Sequence, residues 1–436
     1  MSLLRNVGTI GALTLVSRIF GFARDILLAR VLGAGGVADA WQLAFQLPNI
    51  FRRLFAEGAF ASAFVPLFNR RMTKDGDLGE ARDFAGEVMA VLIPVLIAFS
   101  ALALIAMPWI AGLFANEGME GDPALFDLAV LMARLAFPYL FFMSLATVFA
   151  AILNSLSKFA AAAAAPILLN ICMVTALIAG AVQPDSEALR RDVGLWLGIA
   201  VTVSGLLQMV WLGWFAHRAG FRLRIARPRM TPGVKELFVL IGPAVLGAGV
   251  YQISRFIDLF FLATLPDGSY TFLAMADRLN QLPLGIIGIA LGTAILPALS
   301  RFLAQDERDQ ASRLQGNAVE LALLLTLPAA VALFLAGSAF TRAFYTGGAF
   351  TLEHALATGA VVSALVVGLP AYVLVKVLVP NYFARKDTRT PVWTAASSLG
   401  LNVALNFALV PRLGVEGLAL AGSIAAWAHA AAPYTI

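Results

Sequence analysis

Eleven side chains carry formal charge inside stretches otherwise apolar enough for lipid: Arg18, Arg24, Asp25, Asp39, Arg52, Arg53, Glu57, Arg255, Asp258, Asp277 and Arg278. A charge at the centre of a bilayer costs at least ~2.5–3.5 kcal/mol, so each needs a partner, water or a ligand. Arg18 and Asp25 are seven apart, two turns along one helical face. Arg53 and Glu57 are four apart and can pair. Arg24 and Arg52 have no acid at that spacing, and Asp25, adjacent to Arg24, is expected to point elsewhere. A guanidinium is a planar fork that fits phosphate through two hydrogen bonds. One reading of Arg24, Arg52 and Arg278 is a cationic cavity for a phosphorylated or pyrophosphorylated ligand. The other is a set of structural ion pairs locking helices together. Arg18, Arg53, Asp25, Asp39 and Glu57 read by spacing as structural or gating pairs, and Asp258 pairs in one reading with Arg255.

Asp258 has a second reading. It lies mid-helix and can meet Asn402 and Asn406, which are four apart on another helix. Oxygen ligands of this kind suit sodium, or the carboxylate can take a proton. A hydrogen-bonded contact between helices is the plainer alternative.

The elements that position these groups follow from composition. The 436 residues are 60% hydrophobic and 13% charged, with a mean hydropathy of +0.84. Soluble domains are nearer half apolar and a quarter charged, so lipid is the expected solvent. The pattern predicts about twelve transmembrane helices, at 9–32, 38–68, 84–114, 125–153, 160–182, 194–216, 235–264, 270–299, 316–341, 355–384, 391–410 and 414–431. The net charge of +5 is spread over short loops, which points to membrane orientation and not to nucleic acid. One set of alternate loops holds eighteen Lys and Arg, the other only Arg190, Arg191, Arg342 and Arg412. The rich set includes the N-terminus, which is therefore expected in the cytoplasm. Trp41, Trp109, Trp196, Trp214 and Trp393 fall near predicted helix ends and read as interfacial anchors.

The chain also repeats itself. Asp25 matches Asp258, Pro66 matches Pro297, Pro138 matches Pro370 and Asn170 matches Asn402, at offsets of 231 to 233 residues. Six helices fit in that offset, an even number, so the two halves are parallel repeats. The expected organisation is an N-lobe at 1–217, a basic cytoplasmic linker at 218–234 and a C-lobe at 235–436. Enzymatic motifs do not appear. G-x-x-x-x-G-K-[ST], H-E-x-x-H and G-x-S-x-G are missing, and Cys172 is the only cysteine, so the expectation is a transporter without a cofactor.

Several blocks resemble the MurJ (MviN) family of lipid II flippases. They are Ser17-Arg18-Ile-Phe-Gly-Phe-Ala-Arg24-Asp25, Gly33-Ala-Gly-Gly-Val-Ala-Asp39-Ala, Ala44-Phe-Gln-Leu-Pro48-Asn49-Ile-Phe-Arg52-Arg53-Leu-Phe-Ala-Glu57-Gly58-Ala59 and Ala276-Asp277-Arg278-Leu279 with the stretch Pro283 to Pro297. The resemblance covers essentially the whole chain and places it in the multidrug/oligosaccharidyl-lipid/polysaccharide exporter superfamily. It implies an all-α integral membrane fold, a V-shaped pair of six-helix lobes around a central cavity. It also implies transport of the lipid-linked peptidoglycan precursor across the bacterial inner membrane by alternating access. Arg18, Arg24, Arg52 and Arg278 match cavity positions. Asp39 and Glu57 match essential or gating acids, to which Asp25, Arg53, Arg255 and Asp277 are added. Asp258, Asn402, Asn406 and Ser423 match a sodium site of some members, so Na+ or H+ coupling is a candidate. Lipid II and membrane lipid are the implied partners, with cell-wall synthesis proteins as candidates. An exporter of another polyprenyl-linked oligosaccharide, or of drugs, is the rival in the same superfamily. Family members usually continue through two more helices that line a groove for the lipid tail, whereas this sequence ends at Tyr434-Thr-Ile436.

Overall fold

The computed structural model describes residues 3–55, 59–72, 78–224, 226–385, 387 and 389–432. Glu57, expected to pair with Arg53, lies outside them. Among the described residues the chain is helical, with no strand beyond one isolated bridge between Gly347 and Phe350. It divides into two compact units. The first holds residues 1–32 and 36–255, the second 33–35 and 256–436. This division by packing falls inside a helix, whereas the boundary at 218–234 is a division by sequence repeat.

The first unit contains α1 (Leu3–Leu32), α2 (Gly36–Phe55), α3 (Ala59–Arg70), α4 (Gly79–Gly112), a short α5 (Glu117–Gly121), α6 (Pro123–Ala136), α7 (Tyr139–Ser155), α8 (Phe159–Ala181) and α9 (Glu187–Arg218). The helix α10 (Pro232–Ala263) runs from this unit into the second. The second unit continues with α11 (Ser269–Pro283), a π-helical turn at Leu284–Gly288, α12 (Ile289–Ala304), α13 (Arg308–Tyr345), α14 (Leu352–Val366), α15 (Leu369–Ala384) and α16 (Arg389–Ala431). Eight helical stretches among the described residues are long and apolar enough to cross a membrane. One of them, α16, is folded in two at Gly414 (φ 57°, ψ −132°), a conformation open to glycine and closed to residues with a Cβ. With α1, the α2–α3 pair and α10, they make the twelve expected segments.

The breaks inside these segments have local causes. Pro138 lacks an N–H and separates α6 from α7. Pro283 precedes the π turn, where the hydrogen-bond ladder widens by one residue. In the first unit, α1 packs on α8, α2 on α6, and α9 on α6, α7 and α8. Gly194 and Gly198 put bare backbone against α6: a Cβ at Gly198 would lie 2.9 Å from Leu135 Cβ and 3.2 Å from the Met132 carbonyl oxygen. Close approach of backbones is how helices associate where lipid removes the hydrophobic drive. A ladder of Phe60, Phe64 and Phe68 along α3, with ring centroids 5.2 and 5.6 Å apart, stacks on Phe84 of α4 at 5.5 Å. Trp109 and Trp393 are exposed as interfacial residues are, but Trp41 is only 1% exposed and stacks on Phe45. The expectation for Trp41 is corrected: its ring fills the core of α2's inner face.

Candidate functional site

The charged residues of α1 and α2 are held both by close neighbours and by residues far away in sequence. Arg24 is 6% exposed. Its Nε and Nη2 donate to Asp25 Oδ1 at 2.9 and 2.7 Å. Its Nη1 donates to Asn170 Oδ1 of α8 at 3.0 Å and meets Met173 Sδ at 3.8 Å. Asn170 in turn donates from Nδ2 to the Ser17 carbonyl at 3.1 Å, and the Arg24 guanidinium lies 5.9 Å from the Phe45 ring of α2. The result is a buried knot joining α1 to α8. It corrects the expectation that Asp25 points away from Arg24. The three-carbon stem and Nε of arginine let its fork fold back onto a neighbour that a shorter cation on the same helix could not reach.

Asp39 stands in the first turn of α2, where the positive end of the helix dipole favours a carboxylate. It is fully buried and accepts from Asn116 Nδ2 at 3.1 Å. Asn116 also caps α5, its Oδ1 accepting from the Met119 amide at 3.2 Å. Arg52 is half-buried, with Nε donating to Asn49 Oδ1 at 3.3 Å, and Asn49 Nδ2 donates to the Phe45 carbonyl at 2.7 Å. Arg18 and Arg53 are exposed. Asn49, Asn116 and Met173 are partners that charge spacing could not find. The N-cap pattern of Asn before a short helix, Asn116 to Met119, was the one legible signal among them.

In the second unit, Arg255, Asp258, Asp277 and Arg278 are half-buried. Gln281 Nε2 donates to Asp277 Oδ2 at 2.5 Å, an i, i+4 pair within α11. Asn406 Nδ2 donates to Asn402 Oδ1 at 3.2 Å on α16. Asn406 is fully buried, and its own Oδ1 has no hydrogen-bond partner. An amide oxygen left open in a buried place is an acceptor for a cation or a water. Ser423, also buried, donates to the carbonyl oxygens of Ala364 at 2.8 Å and Leu365 at 3.0 Å, leaving its oxygen as a further acceptor. The structure thus joins Asn402 to Asn406, while Ser423 is tied to the end of α14. Asn402 matches Asn170 at the repeat offset: the one accepts from a neutral amide, the other from a guanidinium.

Comparison with known proteins places the whole chain. The family model for lipid II flippase MurJ matches residues 28–436. A probable lipid II flippase MurJ of Rhizobium meliloti (strain 1021) is 43% identical over 431 residues, covering 99% of this chain and 79% of the relative. The probable lipid II flippase MurJ of Rickettsia prowazekii (strain Madrid E) is 34% identical, over 98% of this chain and 82% of the relative. Among solved structures, a lipid II flippase MurJ in an inward closed conformation superposes with a TM-score of 0.81 at 24% identity, over 97% of this chain and 85% of that one. An inward-facing multidrug resistance MATE family transporter of the MOP superfamily gives 0.74 at 15% identity, over 95% and 92%. These two structural likenesses carry the fold alone. The family model and the sequence relatives carry more, and the chain belongs to the lipid II flippase MurJ family.

Proposed function

We propose that this chain moves lipid II, a polyprenyl-pyrophosphate-linked disaccharide-peptide, from the cytoplasmic to the periplasmic leaflet of the inner membrane. Transport runs by alternating access, without covalent chemistry, and the N-terminus faces the cytoplasm. The observation that carries the reading is the 43% identity over 99% of the chain to a relative of that designation. Exposed Arg18 and half-buried Arg52 in the first unit, and Arg278 in the second, supply guanidinium donors to the pyrophosphate. Arg24 joins them only by exchange, since a diphosphate must displace Asp25 and Asn170 from its fork. Such an exchange couples head-group capture to the seam between α1 and α8. Asp25, Asp39, Arg53, Glu57, Arg255 and Asp277 serve as gating or structural charges. Asp258, Asn402, Asn406 and Ser423 would hold sodium, or Asp258 a proton. A bound cation adds charge that the membrane potential can act on, at ~2.3 kcal/mol per charge per 100 mV.

The test is rescue of a bacterium depleted of its own flippase. The unaltered chain restores growth. Arg24→Ala and Arg52→Ala, at normal membrane abundance, do not. Normal rescue by both variants refutes the assigned role of these arginines.

A further inference from the structure

Residues 219–224 and 226–231, between α9 and α10, belong by packing to the first unit. They are strapped to it. Phe221 is buried and its ring lies 5.9 Å from Phe68. Arg82 Nη2 of α4 donates to the Gly220 carbonyl at 2.6 Å. Thr231 donates from its hydroxyl to Glu87 Oε2 at 2.7 Å. Between these ties the Arg224 carbonyl rests on Gly86 of α4, where any Cβ would collide with it. With the backbone fixed inward, Arg222, Arg224, Arg227 and Arg229 are all exposed. Among the described residues none of the four makes an ion pair.

Two acids at this end are already engaged, Glu87 by Thr231 and Glu236 by Arg70 at 3.2 Å and Arg71 at 3.6 Å. Exposed Glu80 and Asp83, in the first turns of α4, offset part of the remaining positive charge. The depth of the strap follows from what flanks it. Trp214, half-exposed near the end of α9, has the Arg218 guanidinium 4.7 Å over its ring. After the strap, α10 exposes Phe238, Val239 and Leu240. Apolar surface on both sides sets the arginines where hydrocarbon gives way to head groups. A guanidinium at that depth can grip a phosphate through two hydrogen bonds.

We propose that the strap 219–231 is a binding site for the anionic phospholipid head groups of the surrounding bilayer. Basic side chains at such a surface strengthen attachment about fivefold each, and the attachment weakens as salt screens it. The purified full chain is delipidated in detergent and titrated with phosphatidylglycerol or phosphatidylcholine, and retained lipid is counted by native mass spectrometry. The unaltered chain should retain phosphatidylglycerol preferentially and lose that preference as salt rises. Arg222→Gln, Arg224→Gln, Arg227→Gln and Arg229→Gln combined should weaken retention roughly six-hundredfold. The four corresponding Lys replacements should recover much of it, and Arg190→Gln with Arg191→Gln should change little. Equal retention of the two lipids, insensitivity to salt in the unaltered chain, or full retention by the Gln variant would each overturn the proposal. So would displacement of phosphatidylglycerol by polyglutamate at equal charge concentration, which would mark the strap as a protein-docking surface. If the Gln variant does not accumulate, the salt titration of the unaltered chain decides.

Discussion

Arg24 and Asp25 are adjacent, and adjacent residues on a helix diverge by about a hundred degrees at Cβ. They meet because the arginine bends back, and because Asn170 and Met173 hold the far side of its fork. Magnitudes separate the two halves of this network. A polar contact between membrane helices is worth about 0.6 kcal/mol on average. Removing one member of a buried ion pair costs about 3–5 kcal/mol, because it strands the other charge. Asn170→Ala should therefore lower the thermal midpoint of the detergent-solubilised protein slightly, and Arg24→Ala much more. Arg24→Ala with Asp25→Asn should recover most of the loss. If the double variant is no more stable than Arg24→Ala, stranded charge is not the cause. Outside the membrane the same logic gives a small effect. The carboxyl of Asp185 is held below its usual range, first by the hydrogen bond from Arg190, at 2.8 Å from Nε. A depressed folded value stabilises above the unfolded pKa, about 3.9, and the contribution disappears as pH falls through the folded value. Asp185 is exposed and Arg190 about a third exposed, so solvent screens the pair and its size is below about 1 kcal/mol. Replacing Asp185 by Asn should thus flatten the stability profile only below about pH 4. A difference between the two proteins that grows above pH 5 would contradict this origin.

At the scale of elements, hydrophobic run length gave twelve segments because a helix in lipid must satisfy every backbone group internally. Their internal breaks were less legible. Pro138 marks one, but the π turn at Leu284–Gly288 follows a proline that elsewhere, as at Pro166 of α8, stays inside an unbroken helix. The fate of each proline depends on neighbours that re-satisfy the freed carbonyl. Site residues divide similarly. Charge in an apolar run flagged Arg24, Asp39 and Arg52, since desolvation cost is a property of the residue. Their partners Asn170, Asn116 and Asn49 are neutral amides, ordinary in any sequence, and only folding selects them. The seam of α9 on α6 offers an elemental test. Gly198→Leu drives a side chain into Leu135 and the Met132 carbonyl, so overpacking of about 1–3 kcal/mol or more is expected. Leu206→Ala, on an exposed part of α9, should be nearly neutral. The check is the monodisperse yield after extraction. Equal yields would mean that the backbones can separate without loss.

For the whole molecule, the repeat is visible in helix order. Six spanning segments from α1 to α9 are followed by six from α10 to the end of α16, and the segment broken between α6 and α7 corresponds to the one broken between α14 and α15. The halves diverge in chemistry. The first carries a buried guanidinium–carboxylate pair against Asn170, the second a pair of amides at Asn402 and Asn406. The proposed orientation in the membrane belongs to the whole chain and rests on the eighteen-to-four asymmetry of basic residues in alternate loops. α9 makes it measurable. Its 32 residues extend about 48 Å, more than the ~30 Å of hydrocarbon, so the proposed topology puts Arg190 near its start and Arg227 beyond its end on opposite sides of the bilayer. Cys172 is the only cysteine, and Cys172→Ser gives a silent background. With Arg190→Cys, intact cells whose outer membrane is permeable to a charged maleimide should be labelled. With Arg227→Cys, labelling should occur only after the inner membrane is broken. The reverse pattern would place the basic strap outside, and would require the arginines proposed to meet lipid II to be reached from the other leaflet.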